Sequence, residues 1–442
     1  MISSQKIAVI GAGIVGITTA YELASDGHQV TVLERRGAAA EEASFANAGV
    51  IAPGYVTPWA APGMPWKVFK HLLSRHAPVK LGLHLGGHHL PWVWRWLRAS
   101  NAVAYAANRS AMQQLARYSK ERLHHVTANA QLEYDRSQGY MVLLRAESDR
   151  KLIAPSLQVL KDSGVAFKEL DAAGARQVEP ALNPDTQFHS AIHLPDDEAG
   201  NCRQFVLLLK NELVQRGATV EFGKTVSKIG TASSPTVASS SGALSAGGSG
   251  PGVQLHLKGE SVPRHFDAVV VCAGLESAAL LKPLLQPLGL RLPMAAVYGY
   301  SVSANIKEPL NAPRSAVMDE RYKVAISRLG QRVRVAGSAE LGGHPSRINP
   351  SAVQTLYKVL HDWFPGAAVH SSGVQVWKGA RPMLPDGPPV IGASGVPDVW
   401  LNTGHGSSGW ALSCGSARSL ADLLGGRQPA LDLTGFSIAR FA

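Results

Sequence analysis

Residues 6–10 (KIAVI) form a short run rich in β-branched side chains with no polar break. Such a run fits a strand buried on both faces. A glycine turn follows, apolar residues then recur at helical spacing from 14 to about 24, and residues 28–33 (HQVTVL) give a second buried strand. Strand, helix and strand in this order predict a βαβ unit and a parallel sheet. Further along, the pattern predicts a long helix over 102–127, a strand over 140–145, a helix over 151–162 and a strand over 165–170. Residues 59–97, dense in Pro, Gly, His and Trp, read as irregular. A second βαβ-like unit is expected from Cys202 onward. It has an amphipathic helix over 203–216, with Phe205, Leu208, Leu209 and Leu213 on one face, Gly217 as its stop, and strands over 219–222 and 226–229.

Residues 253–257 resume a strand pattern, and 267–274 (DAVVVCAG) form a buried strand ending in Ala273-Gly274. The stretches 291–303, 324–328 and 332–337 alternate apolar and polar residues, as antiparallel strands of a second layer do. A helix over 351–364 is bracketed by Asn349-Pro350 and Pro365-Gly366, and a last strand (399–402) and helix (410–424) follow. Between these elements, residues 230–252 are almost all small or polar and are expected to be a flexible surface loop outside the core.

Composition narrows the class. A chain of 442 residues that is 45% hydrophobic and 17% charged is globular, not disordered. The length suggests two or three domains at about 150 residues each. A net charge of +11 fits an acidic substrate, an anionic cofactor, a membrane surface or nucleic acid, without choosing among them. Three cysteines (Cys202, Cys272, Cys414) make neither a disulfide framework nor a Cys-rich zinc site. Cys272 and Cys414 stand in apolar contexts and are expected to be buried, inert thiols. No apolar run reaches the roughly 18 residues of a membrane span. The start shows no signal-peptide pattern, so a cytoplasmic setting is expected.

Gly11-Ala12-Gly13-Ile14-Val15-Gly16 is a G-x-G-x-x-G string placed after a strand and at the opening of a helix. Glycines there permit a tight turn and close approach to a pyrophosphate, which backbone N–H groups and the helix dipole then hold. The second strand ends at Glu34, 18 residues after Gly16, where a carboxylate can accept from a ribose hydroxyl. Glu34 argues for an unphosphorylated ribose, and Arg35 and Arg36 for surface or diphosphate neighbours. The βαβ unit opens a long chain, a strand ending in Ala273-Gly274 recurs downstream, and Asn402 to Trp410 (NTGHGSSGW) is a third glycine-rich turn. A cofactor spanned by three distant segments suits FAD.

At this point the residues match a family. The chain resembles the FAD-dependent amine oxidoreductases of the D-amino-acid oxidase and glycine oxidase group, and within it the small subunit of bacterial D-amino-acid dehydrogenase. The match rests on Ala46-Asn47-Ala48-Gly49, on Pro53-Gly54-Tyr55 with Pro58-Trp59-Ala60-Ala61-Pro62-Gly63, and on Tyr322-Lys323 with Ala325-Ile326. It rests also on Arg381-Pro382-Met383 with Pro385-Asp386-Gly387 and on Trp400-Leu401-Asn402-Thr403-Gly404-His405-Gly406. These strings cover nearly the whole chain. Two places depart: residues 230–252 are longer and richer in Ser and Gly than the family leads one to expect, and Ser407-Ser408 stands where Thr-Leu is expected.

The resemblance implies an α/β fold: a Rossmann-like FAD-binding domain from discontinuous segments (1–50, 200–280, 370–442) and an α+β substrate domain on an antiparallel sheet (51–199, 281–369). It implies oxidation of a D-amino acid to its imino acid by hydride transfer from the α-carbon to flavin N5, hydrolysis to the 2-oxo acid and ammonia, and electrons leaving to a quinone-type acceptor. FAD is expected to be non-covalent, because the Arg381–Asp386 string holds no Cys or His for attachment. The expected cofactor-binding set is Gly11, Gly13, Ile14, Val15, Gly16, Glu34, Arg35, Ala46, Asn47, Ala48, Gly49, Val226, Ala273, Gly274, Gly379, Arg381, Gly404, His405, Gly406, Ser407, Ser408 and Gly409. The rivals are an oxygen-using oxidase of glycine, sarcosine or hydroxyproline, and a basic flavoprotein that binds membrane or nucleic acid without turnover. No nucleic-acid module is visible.

Arg381 offers a bidentate fork for a carboxylate, as the Gly-x-Arg-Pro arginine does in the resembling oxidases; the alternative is an ion pair with Asp386. His405 is either at the flavin edge, with a helix N-terminus behind it, or a structural turn residue. Tyr55, Tyr322, Tyr298 and Tyr300 are candidate substrate-pocket residues, Tyr300 being the one that reads most as core. Asp196-Asp197-Glu198 reads as a solvated loop capping the following helix. His71, His76, His84, His88 and His89 lack the spacing and carboxylate or thiol company of a metal site, and none is expected. Trp92, Trp94 and Trp96 interleave with Arg95 and Arg98, downstream of Lys67, Lys70, Arg75 and Lys80, which suits peripheral membrane contact through 66–98 or, equally, a core helix end.

Overall fold

The computed structural model describes residues 4–71, 77–82, 84–231 and 252–442. Most of the loop expected at 230–252 therefore lies outside the described residues, as do Arg75 and His76.

The first sheet has six strands in the spatial order Val390–Ala393, Val399–Thr403, Ala268–Val271, Lys6–Ile10, Gln29–Leu33 and Thr219–Glu221, parallel except for the first pair. Its central strands are buried on both faces, and side-chain alternation divides them. Ile7, Val9, Val32 and Val270 join a core with the helices Ile14–Ser25, Cys202–Gln215 and Gly409–Leu424. Ala8, Ile10, Leu33, Val269 and Val271 face the helix Glu276–Leu285 and a three-stranded sheet, Val226–Thr231, Val253–Leu257 and Arg264–Phe266. Continuous apolar runs such as KIAVI are what two covered faces require.

The second sheet has ten strands, mostly antiparallel, with the long path Gln375–Met383, Ala295–Asn305, Arg332–Leu341, Val324–Leu329, Ala316–Asp319, Arg136–Leu144, Ser190–Gly200 and Val50–Ile51. The helix Pro350–Trp363 packs Leu356, Val359, Leu360 and Trp363 on one face. Asn349 caps it by accepting from Ser351 N–H, as the Asn-Pro signal predicts.

Several expectations change here. The described residues of 59–97 are not all irregular: they carry the helix Met64–His71, the strand Val79–Leu81 and most of the helix Leu90–Ala99. The unit from Cys202 is not a second βαβ. Its helix leaves the large sheet at Gly200 and delivers Thr219–Glu221 to the edge of the first. Asp196-Asp197-Glu198 is not a solvated loop but part of the strand Ser190–Gly200, with Asp197 and Glu198 buried, and the helix cap is Asn201. Gln375–Met383 pairs with Ala295–Asn305 in the large sheet, not with the first sheet. The helix Ala102–Asn129 packs Met112, Leu115, Leu123 and Val126 into the core of the first sheet.

Candidate functional site

A cavity of roughly 1740 Å³ runs between the two sheets. Pockets for one drug-sized ligand measure about 300–1,000 Å³, so this one has room for a dinucleotide and a small substrate together.

One end is built by the first strand–turn–helix. Gly11 has φ +105°, and a Cβ there would lie 2.7 Å from the Cys272 carbonyl oxygen. A Cβ on Gly16 would overlap the Gly11 carbonyl, with the carbonyl carbon at 2.9 Å. The turn therefore closes only with glycine at both positions. Gly11, Gly13, Ile14 and Val15 line the cavity, whereas Gly16 does not; it packs the helix onto the turn behind them. The helix Ile14–Ser25 has no side-chain cap from Gly13, although Ser44 Oγ accepts from Ile14 N–H at 3.0 Å. Glu34 reaches the cavity from the end of the second strand and accepts from Ala12 N–H at 2.7 Å and Arg36 N–H at 2.8 Å. Those bonds fix its carboxylate while leaving lone pairs for a ribose hydroxyl. Arg35 lines the rim and pairs with Glu42 and Glu276. Ala46, Asn47, Ala48, Val226, Ala273 and Gly274 line the same space; Gly49 does not.

The other end is built by Gln375–Met383 and the turn before Gly409–Leu424. Gly379, Gly404, His405, Gly406, Ser407, Ser408 and Gly409 line the cavity with Arg381. The helix Gly409–Leu424 also lacks a side-chain cap, so a second set of N–H groups and a second positive helix end meet the cavity. His405 is buried, which lowers its pKa to about 3 and keeps the ring neutral. Its Nε2 shares a 2.9 Å hydrogen bond with Ser416 Oγ, so the ring is anchored in the helix and is not a titrating group for the cavity.

Arg381 is the charged group of this end. Burial lowers its pKa to about 10, which still leaves it a cation at neutral pH. Its Nη1 donates to the Ser338 carbonyl at 2.8 Å. The alternative partner is taken: Asp386 binds Arg440 at 2.7 Å. Ser338 holds φ +61°, a costly conformation for a side-chain-bearing residue, and it aims its carbonyl at the guanidinium. A buried cation with one neutral partner is poised for a carboxylate.

Of the four tyrosines, Tyr55, Tyr300 and Tyr322 line the cavity and Tyr298 does not. Tyr55 stacks edge-on against Tyr140 at 5.6 Å, and burial pushes its phenol far up, so it stays protonated. Tyr322 lies under Arg145 and Lys358. Tyr300, read as core, does reach the cavity wall but gives its hydroxyl to Glu340. Two of the tryptophans offered for a membrane are core: Trp92 and Trp96 are buried, and Trp92 Nε1 donates to the Met383 carbonyl at 3.0 Å beside the Arg381 strand. Cys272 and Cys414 are buried and burial raises their thiol pKa, as expected.

Two residues escaped the sequence reading. Gly299 faces the Arg381 guanidinium, and a Cβ there would sit 2.6 Å from Cζ. The only hint was a glycine inside an alternating strand, which marks a close approach. Arg109 lines the cavity from the N-terminal third of Ala102–Asn129, where nothing local distinguishes it from other helix arginines.

The residues present fit FAD. A glycine turn with no room for a Cβ at Gly11 or Gly16, a fixed carboxylate 18 residues on, and two helix N-termini without an N-cap side chain of their own in one cavity are what a dinucleotide with an anionic centre needs. Comparison with known proteins agrees. The FAD dependent oxidoreductase family model matches residues 6–423. The chain is 39% identical over 439 residues to a D-amino acid dehydrogenase of Rhizorhabdus wittichii, covering 99% of this chain and 100% of that one. It is 40% identical over 440 residues to a protein of the same name from Cereibacter sphaeroides, covering 99% and 96%. Among solved structures it is similar to L-proline dehydrogenase from P. horikoshii (TM-score 0.72, 15% identity, 100% and 98% covered) and to glycine oxidase from Geobacillus kaustophilus (TM-score 0.71, 20% identity, 99% of each). Cradle, carboxylate anchor and full-length similarity converge: this chain belongs to the family of FAD-dependent oxidoreductases.

Proposed function

We propose that the chain is a D-amino-acid dehydrogenase, oxidising the Cα–N bond of a D-amino acid and passing the electrons to a quinone-type acceptor at a membrane. The observation that carries the substrate class is Arg381: buried, cationic, at the cavity wall and, among the described residues, without a carboxylate of its own. Its fork takes the substrate carboxylate and so fixes the α-carbon and amine. FAD, when bound, supplies the two-electron acceptor. The chain's part is placement and dryness. Tyr55 and Trp59 line the cavity, and Trp59 is backed by Trp92 and Trp96 with ring centroids 6.0 and 5.7 Å away. The positive end of Gly409–Leu424 opposes negative charge that develops beside it. With His405 held neutral and hydrogen-bonded, this reading assigns no general base and requires a substrate amine that arrives unprotonated.

The test is anaerobic flavin bleaching across matched D- and L-amino acids. Bleaching by D-enantiomers supports the reading, and bleaching by none, or by L-enantiomers alone, refutes it. Peroxide formed in step with turnover would instead place the chain with the oxidases.

The membrane side of the proposal rests on the helix Leu90–Ala99. Leu90, Trp94 and Leu97 are exposed at spacings of four and three residues, with Arg98 stacked on Trp94 at 4.8 Å. This stripe replaces the three-tryptophan surface expected from sequence. An apolar stripe flanked by arginines suits an anionic lipid surface. No helix among the described residues is long and apolar enough to cross a membrane. Changing Leu90, Trp94 and Leu97 together to Ser should abolish co-sedimentation with anionic vesicles and leave dye-linked turnover intact. Equal sedimentation of both proteins would refute this surface.

A further inference from the structure

A second arginine stands at the cavity without an assigned task. Arg109 is 5% exposed and lines the cavity, and its Nε and Nη2 have no hydrogen-bond partner among the described residues. Its Cζ lies 5.9 Å from the centre of the Tyr105 ring. One helical turn on, Gln113 Nε2 donates to the Gly54 carbonyl at 2.9 Å and holds this helix against the Pro53–Tyr55 turn. That contact brings Arg109 beside Tyr55, whose hydroxyl is also buried without a partner. Burial above all raises the Tyr55 phenol, the Glu320 and Asp197 carboxylates add to that, and the Arg109 cation opposes it.

The carboxylates on this side do not claim the guanidinium. Glu320 lines the cavity and pairs with Lys323, and Asp197, behind the wall, pairs with Lys120 at 3.7 Å; Glu320 Oε2 and Asp197 Oδ2 have no hydrogen-bond partner among the described residues, yet neither bonds Arg109. Arg109 is thus a buried cation bonded to no carboxylate among the described residues, and the Tyr55 hydroxyl is a buried donor without a partner among them. Orphaned donors of this kind are rare in folded proteins and costly unless something satisfies them. The glycine turns and Glu34, which suit the cofactor, belong to other segments of the wall.

We propose that Arg109 and the Tyr55 hydroxyl form a second subsite, which takes an acceptor oxygen at the end of the substrate's side chain while Arg381 holds the α-carboxylate. The inference rests on the amino-acid reading of the cavity and names the substrate class: D-amino acids with a side-chain carboxylate or carboxamide. A site built to donate hydrogen bonds discriminates strongly against a ligand that lacks the acceptor, because its donors are then left unpaired.

The experiment uses the FAD-loaded protein and three D-amino acids of matched length: D-glutamate, D-glutamine and D-norvaline. Wild type should favour the first two in kcat/KM. Arg109→Met should lower the D-glutamate to D-norvaline ratio by about tenfold or more, with flavin retained. A fall confined to D-glutamate identifies a carboxylate ligand, and a parallel fall for D-glutamine identifies the shared carbonyl oxygen. Arg109→Lys should recover part of the ratio and Tyr55→Phe should lose a smaller part; both remain readable if Arg109→Met fails to fold. Ratios within twofold of wild type in these variants overturn the subsite, as does loss of FAD from Arg109→Met with the ratio unchanged in Tyr55→Phe. Binding of glutarate against pentanoate, followed by flavin absorbance, reads the same preference without turnover. If no D-amino acid reduces the flavin, the underlying reading fails, and the glutarate preference still decides the subsite.

Discussion

Gly299→Ala isolates the carboxylate anchor without touching it. Gly299 lies in Ala295–Asn305, opposite Gly379 and two residues from the Val297–Arg381 pair. The added methyl would lie 2.6 Å from Arg381 Cζ and 2.9 Å from Nη1, where ordinary contacts begin near 3.4 Å. Gly299 is not among the glycines with positive φ, so alanine brings no backbone strain. The guanidinium ends a flexible side chain and can yield, which keeps the folding cost to that of one charge-assisted bond, about 1.5–3 kcal/mol. Yielding moves it by about 1 Å and breaks its 2.8 Å bond to the Ser338 carbonyl. A 1 Å misplacement of a positioning group costs up to about 100-fold, or roughly 2.7 kcal/mol. The assay is anaerobic flavin reduction by D-alanine in a stopped-flow instrument, with rate against concentration giving both the apparent Kd and the limiting rate. The apparent Kd should rise by about 10- to 100-fold with FAD content unchanged and the melting temperature lowered by only a few degrees. Combining the change with Arg381→Met should add little, because both remove the same interaction. Values within twofold of wild type would show that Arg381 is not the anchor, or that the guanidinium has a second productive position.

Arg381→Ala should raise the apparent KM by about 100-fold, through roughly 3 kcal/mol of lost charge-assisted bonding, with FAD retained and Arg381→Lys rescuing only part; a change under twofold places the anchor elsewhere. Gly16→Ala should yield protein without FAD, because its Cβ overlaps the Gly11 carbonyl and opens the turn; a yellow, normally melting variant would contradict the packing. Asp197 carries a pKa raised to about 7, chiefly by burial. The folded state therefore keeps a proton that the unfolded chain releases near pH 4, so stability falls as pH rises from about 4 to 7. Asp197→Asn should flatten that fall by on the order of 2 kcal/mol in denaturant titrations at the two pH values, and parallel slopes for both proteins would refute the assignment.

The sequence by itself determined the cofactor end. Residues 6–34 carry their instructions locally: a run apolar on both faces, glycines where the chain must pass within van der Waals reach of itself, and a carboxylate at the end of the next strand. A turn of that kind needs no distant partner to be recognised, and the structure places Gly11, Gly13 and Glu34 at one cavity wall. The alternating strands and the capped helix Pro350–Trp363 were legible for the same reason, since period and caps are local properties. Resemblance carried Arg381, Tyr55 and Tyr322 to the site, where periodicity alone would have left them undistinguished.

Tertiary structure decided everything that depends on what lies opposite. The acidic run at 196–198 looks solvated in one dimension, yet Asp197 and Glu198 are buried, because Arg136–Leu144 and Val50–Ile51 pair on either side of their strand. Trp92 and Trp94 differ by two residues in sequence, but a helix turns about 200° over that interval, so one packs against the Arg381 strand and the other faces solvent. Arg381 could not be separated from an Asp386 pair until Arg440, 54 residues on, was seen to hold that carboxylate. Gly299 and Arg109 matter only through neighbours distant in sequence: Arg381 for the glycine, and the turn that holds Tyr55 for the arginine. Local patterns state what each segment can become; burial, pairing and the charge left unmatched at a cavity wall are sums over the whole chain, and only the folded molecule performs them.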